Sequence, residues 1–278
     1  MSELKLFLRH NHLALAGVII LGIMLLAVLV GPLLLKSPIQ IDMAEKLMPP
    51  SATHPLGTDS FGRDMLARVL SGGRYTLSIG IVIVAIAFAI GVFFGILAGF
   101  CGGWIDTIIM RVVDAILSFP ALVLAIALSA AIGPSLQNAM IAVAITMAPQ
   151  FARVARSQAL AVSTRLYVEA ATALGLSRRR ILLRYVLINS IGPLLVQASL
   201  NVGSAILQTS ALGFLGLGAQ PPMPEWGADV SANLAYARSS PWTALGPGVA
   251  ILLTVLAFNL LGDALADWFN PRRRSQIQ

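Results

Sequence analysis

Gln197, Asn201, Ser204 and Gln208 recur at steps of four, three and four residues inside an otherwise apolar stretch, so on a helix they form one polar stripe. Amides and hydroxyls exchange hydrogen bonds but form no covalent intermediate here, so the stripe has two readings. It can line a path for a polar solute, or it can bond one helix to another inside a membrane. Bond-making chemistry has little support elsewhere in the chain. His10, His12 and His54 are scattered without the HExxH spacing of a metal site, and the single cysteine, Cys101, allows neither an intrachain disulfide nor a cysteine-based metal centre. The sequence contains no GxSxG nucleophile turn and no GxxxxGK[ST] phosphate loop. The expectation is a chain that is not an enzyme and holds no cofactor or metal, with any ATP and Mg bound by other subunits.

The stripe must be positioned by membrane helices. Of 278 residues, 57% are hydrophobic and 11% charged, with a mean hydropathy of +0.84, whereas soluble domains carry about 25% charged residues. Apolar segments at about 13–35, 76–100, 115–133, 137–152, 186–217 and 243–262 predict an all-α integral membrane protein with about six transmembrane helices. The first segment follows a short basic stretch, but it is too long for a signal peptide's apolar region and lacks a small-residue cleavage site, so it reads as an anchor. Gly91, Gly95 and Gly99, every fourth residue of the second segment, predict close backbone packing against another helix. The formal charge of +7 sits in the loops. With the N-terminus inside, thirteen of the nineteen Lys and Arg residues fall on the cytoplasmic side, among them Lys5, Arg9 and Arg272 to Arg274, so both termini are expected there.

Two connecting segments are long. Residues 36–75 belong outside and complete an N-terminal unit, 1–75; residues 153–185 belong inside and interrupt a five-helix core, 76–278. The inner segment has seven arginines and one acid, Glu169. Helix formers from Tyr167 to Leu174 precede Gly175, suited to a left-handed C-terminal cap, and Ser177, suited to the N-cap of a second short helix. Ala170, Ala171 and Ala173 give this helix a small, smooth surface, with Leu166 and Leu174 as anchors on one side. A DNA-reading helix pair is excluded because the segment is tethered between spans, so no nucleic-acid partner is expected.

Longer motifs carry a resemblance. Leu56-Gly-Thr-Asp-Ser-Phe-Gly-Arg-Asp64, Gly102-Gly103 with Asp106, Arg111 and Asp114, Phe214-Leu-Gly-Leu-Gly218, Pro221-Pro-Met-Pro-Glu-Trp-Gly227 and Ala257-Phe-Asn-Leu-Leu-Gly-Asp263 resemble the dipeptide, oligopeptide and nickel permease family of ATP-binding-cassette importers, closest to the second permease of such systems. Glu169-Ala170-Ala171 followed by Gly175 is similar to that family's EAA signature, while Tyr185 and Ile188 stand where relatives often have His and Pro.

The resemblance implies a bacterial inner-membrane heterodimer with a second permease, two cytoplasmic ATPases carrying ATP and Mg, and an extracytoplasmic solute-binding protein. It assigns ATPase coupling to Glu169, Ala170, Ala171, Gly175, Arg178 and Arg179. By their charge alone, the arginines at 178–180 can hold the second helix against anionic headgroups of the lipid bilayer or acids on the ATPase. Glu225 and Trp226 become candidates for docking the binding protein at the outer mouth. Relatives carry peptides, glutathione, nickel or metal–chelator complexes. An ion-coupled transporter or an intramembrane protease would instead need central acids, or a nucleophile with its base; the spans carry no central Asp or Glu, and spans two to six have no His.

Overall fold

The computed structural model describes residues 11–269, so His10 lies outside the described residues, as do Lys5, Arg9 and Arg272 to Arg274, on which the orientation partly rests. The described chain forms α1 (His12–Leu34), α2 (Met65–Cys101), α3 (Gly103–Leu117), α4 (Ala121–Ile132), α5 (Leu136–Ser163), α6 (Leu166–Ala173), α7 (Arg178–Phe214), α8 (Trp226–Asn233) and α9 (Trp242–Phe269). Four of these, α1, α2, α7 and α9, are long and apolar enough to cross a bilayer, and α3 with α4 makes a fifth if that bent pair is one span. The 28-residue α5 is not apolar enough to be counted with them, because Gln137, Asn138, Gln150, Arg153 and Arg156 shorten its apolar stretch, so the described residues hold four to five candidate spans where about six were expected.

Sequence chemistry sets the helix ends. Asn11, Asp64 and Ser135 each accept a hydrogen bond from a backbone N–H three residues on, at 3.0, 2.7 and 3.1 Å. The cap at Asp64 corrects the expected boundary at residue 75, because α2 begins eleven residues earlier and runs through Arg68 and Arg74. Their charges are matched locally. Arg74 donates to the carbonyls of Val28 and Leu29 at 2.9 and 2.6 Å. Pro32 has no N–H to give Val28, so the guanidinium supplies the donor that the proline removes.

The core is the α2–α5 pair. A methyl group on Gly91, Gly95 or Gly99 would overlap the backbone carbonyls of Ala148, Ala152 and Arg156 respectively, so the glycine repeat is a close-packing seam, as expected. Phe151 is fully buried there, edge-on to Phe88. The α7 helix packs on this pair and on α9, and α1 lies against α9 and α2.

Three expectations on element boundaries are corrected. The 115–133 segment is broken between Leu117 and Ala121 with a 90° bend, because Pro120 cannot donate into a continuing helix. Residues 153–163, assigned to a loop, prolong α5. The second short helix at 178 does not stop but continues as α7, through a π-turn at Leu182–Leu187. Its buried residues Ile181, Val186, Ser190 and Leu194 are spaced five, four and four, the wide turn absorbing the extra residue.

Candidate functional site

On the face expected to be cytoplasmic, α5 turns at Thr164 and Arg165 into α6. Val168 and Ala171, each 4% exposed, bury one side of α6 in a cluster with Val162 and Ile181. Glu169, Ala170 and Ala173 are exposed, and Leu166 and Leu174 stand 82% and 80% exposed. This corrects two expectations. Ala171 faces the chain's own core rather than a partner, and the two leucines anchor nothing within the chain. The helical period separates the sides: Leu166, Ala170, Ala173 and Leu174 share one face, and Val168 and Ala171 point away from it. Water therefore meets a small apolar plateau with a leucine at each end.

The exit of α6 is rigid. Gly175 has φ +75°, its N–H donates to Thr172 O at 3.0 Å, and Leu176 N–H donates to Ala171 O at 3.2 Å. These two bonds form the paired C-terminal closure that a left-handed glycine permits. Ser177 precedes the next helix but its side chain makes no capping bond, so that expectation is corrected. Tyr185 stacks on Tyr167, ring centroids 6.5 Å apart, tying the π-turn to α6. Arg178 and Arg179 are exposed beside it. The base of the unit is held to α3, where Arg156 grips Asp106 with two bonds of 2.5 and 2.6 Å and Arg153 reaches Asp114 at 2.7 Å. These pairs join residues about forty and fifty positions apart, and sequence spacing gave no sign of them.

The polar stripe runs along the border between the packed and open sides of α7. Asn201 is 7% exposed and its Nδ2 has no partner; Gln208 is half-buried with an unpartnered Oε1; Gln197 is half-buried and Ser204 exposed. Here two buried amide atoms are left to a partner helix or to water.

On the opposite face, residues 36–64 fold into a cap over the start of α2. His54 spans two carboxylates, Nδ1 2.7 Å from Asp64 and Nε2 3.1 Å from Glu45. The fully buried Asp59 accepts from Arg63 Nε at 2.6 Å and from the N–H groups of Phe61 and Arg63. Gly57, at φ +67°, lies against the Trp242 ring, where a side chain has no room.

Glu225 and Trp226 are 1% and 0% exposed, so neither offers a side chain for docking a soluble protein; this assignment is corrected. Trp226 fills the space over Gly72 and Gly73, and its Nε1 donates to Val69 O at 2.8 Å. Glu225 caps α8, accepting from the Gly227 and Ala228 N–H groups at 2.9 and 2.8 Å. Beside it, Arg68 and Asp229 form a buried ion pair, Nε to Oδ1 3.0 Å, and Arg68 also donates to Pro38 O at 3.0 Å. The composition of this motif signals an interface of bulky and charged groups. Burial decides that it faces inward.

Burial pushes the Glu225 carboxyl up to about 7, with Asp229 adding to the rise and the two capping N–H bonds opposing it. A carboxyl with a raised folded-state pKa favours the folded chain while protonated. That stability is fully present below about 4.5 and is lost as pH rises through about 7. The stability of the wild-type chain, followed by thermal unfolding, should therefore fall across this window relative to Glu225→Gln, by a difference on the order of 3 kcal/mol. Parallel pH profiles of the two proteins would show that Glu225 stays ionised when buried.

Comparison with known proteins matches residues 91–275 to the family of binding-protein-dependent transport system inner membrane components, and residues 6–50 to the N-terminal transmembrane domain of oligopeptide transport permease C. The chain is 45% identical over 269 residues to the dipeptide transport system permease protein DppC of Alkalihalophilus pseudofirmus, covering 96% of this chain and 88% of that one. It is 47% identical over 272 residues to the probable D,D-dipeptide transport system permease protein DdpC of Escherichia coli K12, covering 98% and 91%. The glutathione transport system permease protein GsiD of Pectobacterium atrosepticum is 44% identical over 226 residues, covering 81% and 75%. Among solved structures, a chain of the inward-facing MetNI methionine ABC transporter shares the fold with TM-score 0.60 and 19% identity, over 77% of this chain and 98% of that one.

Proposed function

Because the chain belongs to the family of binding-protein-dependent transport system inner membrane components, the multi-pass permeases of ATP-binding-cassette importers, we propose that it forms, with a second permease, the translocation path for short peptides. Two ATPases hold ATP and Mg on the cytoplasmic side, and a solute-binding protein delivers the peptide outside. The observation that carries this reading is α6: a short helix with a buried side on its own chain, an exposed apolar plateau from Leu166 to Leu174, and a rigid exit at Gly175. Such an element is built to receive force from a partner and pass it to α5 and α7. Peptides are favoured as the solute because relatives at 45% and 47% identity are named for dipeptides, and a third for the tripeptide glutathione.

The stripe on α7 supplies the polar lining of the path. In proteoliposomes holding this chain with its second permease, both ATPases and binding protein, labelled dipeptide should accumulate on addition of ATP. Asn201→Leu or Gln208→Leu should lower that uptake several-fold with the ATPases still bound. Uptake of nickel in place of dipeptide would overturn the solute, and normal uptake by both variants, or failure of both to assemble, would return the stripe to helix packing.

Orientation follows from the arginine-rich α6 region being inside. In a chain lacking Cys101, Ser60→Cys and Ala232→Cys should react with an impermeant thiol reagent applied to intact cells, and Ser177→Cys should not. Labelling at 177 under those conditions would reverse the topology.

A further inference from the structure

Arg180, whose charge alone suits either an ATPase acid or a lipid headgroup, and Arg184 find no partner of their own in the α6 unit. Both are exposed, and neither forms an ion pair among the described residues. In the 153–185 segment Glu169 is the lone acid. The position of Arg180 is electrostatically unfavourable within the chain, since it lies in the first turn of α7, at the positive end of a 37-residue helix. A cation held there needs an external anion to offset that field.

The same helix shows what kind of anion. Leu183 stands between the two arginines and Ile188 and Leu195 follow them up α7, exposed by 45, 59 and 48%, while Ile181, Val186, Ser190 and Leu194 turn the other side into the core. The open side therefore passes from two guanidinium groups to branched aliphatic side chains as the helix enters its apolar stretch. That order, charge first and hydrocarbon next along one helix, matches the depth profile of a phospholipid, phosphate at the surface and acyl chain below. A soluble acidic partner would match the arginines and leave the aliphatic side chains uncovered.

We propose that Arg180 and Arg184, with Leu183, Ile188 and Leu195, form a binding site for an anionic phospholipid at the base of α7. The site differs from the α6 plateau and from Arg178 and Arg179, which are reserved for the ATPase. It stands independently of the transported solute.

The test is a titration of the purified full chain in neutral detergent with phosphatidylglycerol and with phosphatidylcholine, followed by native mass spectrometry. Wild-type chain should prefer phosphatidylglycerol by about tenfold, as two guanidinium contacts near the surface allow. In Arg180→Gln/Arg184→Gln the preference should collapse toward unity, and in Arg178→Gln/Arg179→Gln it should persist. No preference in the wild type, or an undiminished one in Arg180→Gln/Arg184→Gln, would overturn the site. So would loss of co-purifying ATPases in that double variant with its lipid preference intact, which would move these arginines to the ATPase face. Failure of dipeptide uptake would leave all these readings unchanged.

Discussion

Replacing Gly175 by valine is expected to leave the chain inserted in the membrane while loaded binding protein loses its ability to stimulate ATP hydrolysis. The reason is local. A side chain at 175 would meet no neighbour within 4 Å, so crowding is not the difficulty; the backbone is, because φ +75° strains a β-branched residue by about 1–2 kcal/mol. Valine relieves that strain by rotating away, and the hydrogen bonds from Gly175 to Thr172 O and from Leu176 to Ala171 O go with it. The α6 helix then frays at the end joined to α7, and a push on its exposed plateau is spent in bending the joint. Asn tolerates the left-handed region, so Gly175→Asn should retain most of the activity that Gly175→Val loses. The measurement is ATPase rate in the reconstituted complex with and without loaded binding protein. Full stimulation with wild-type uptake in the valine variant would remove α6 from the coupling role.

The largest loss of stability is expected at Arg68. Its guanidinium joins three segments, bonding Asp229 on α8, the Pro38 carbonyl in the cap and, at 3.5 Å, the Pro222 carbonyl. Both charged side chains are almost fully buried, and Asp229 Oδ2 has no partner to spare. Burial already raises the Asp229 carboxyl, with Arg68 holding it down. Removing the arginine leaves a buried carboxylate uncompensated, so Arg68→Met should cost about 3–5 kcal/mol. Arg68→Met/Asp229→Leu should recover a large part of that, since no lone charge remains. Thermal unfolding of the variants in detergent decides it. A single variant as stable as wild type, or a double variant worse than the sum of the two singles, would show that the pair does not hold α2, α8 and the cap together.

Periodicity and composition made the membrane helices legible because a bilayer imposes the same demand on every span. The Gly91, Gly95 and Gly99 seam was legible for a related reason: a small residue every fourth position has few uses other than letting two backbones meet. Gly175 was legible as a left-handed cap from its own chemistry. Less accessible were features that depend on the distant surroundings of a residue. Ala170 and Ala171 are chemically identical neighbours, and one is outside and the other inside only because α6 lies with Val168 toward Ile181. Glu225 and Trp226 look like docking groups in sequence, yet Gly72 and Gly73, some 150 residues earlier, open the space that swallows the indole. Arg68 and Arg74 suggested a loop, because charges are costly in a membrane helix until Asp229 and the carbonyls freed at Pro32 are known to receive them.

The π-turn at 182–187 places one surplus residue between the α6 unit and the long apolar part of α7. Each residue of an ordinary helix turns the chain by about a quarter to a third of a revolution. Gaining or losing that one residue therefore acts like resetting the phase of a gear, turning the Arg178–Ile181 start of α7 about the helix axis relative to the apolar part beyond Leu187. The packing of Val168 and Ala171 on Ile181 carries α6 with it. A single insertion or deletion in this turn would therefore re-aim Leu166 and Leu174 while residues 188–214 keep their alignment.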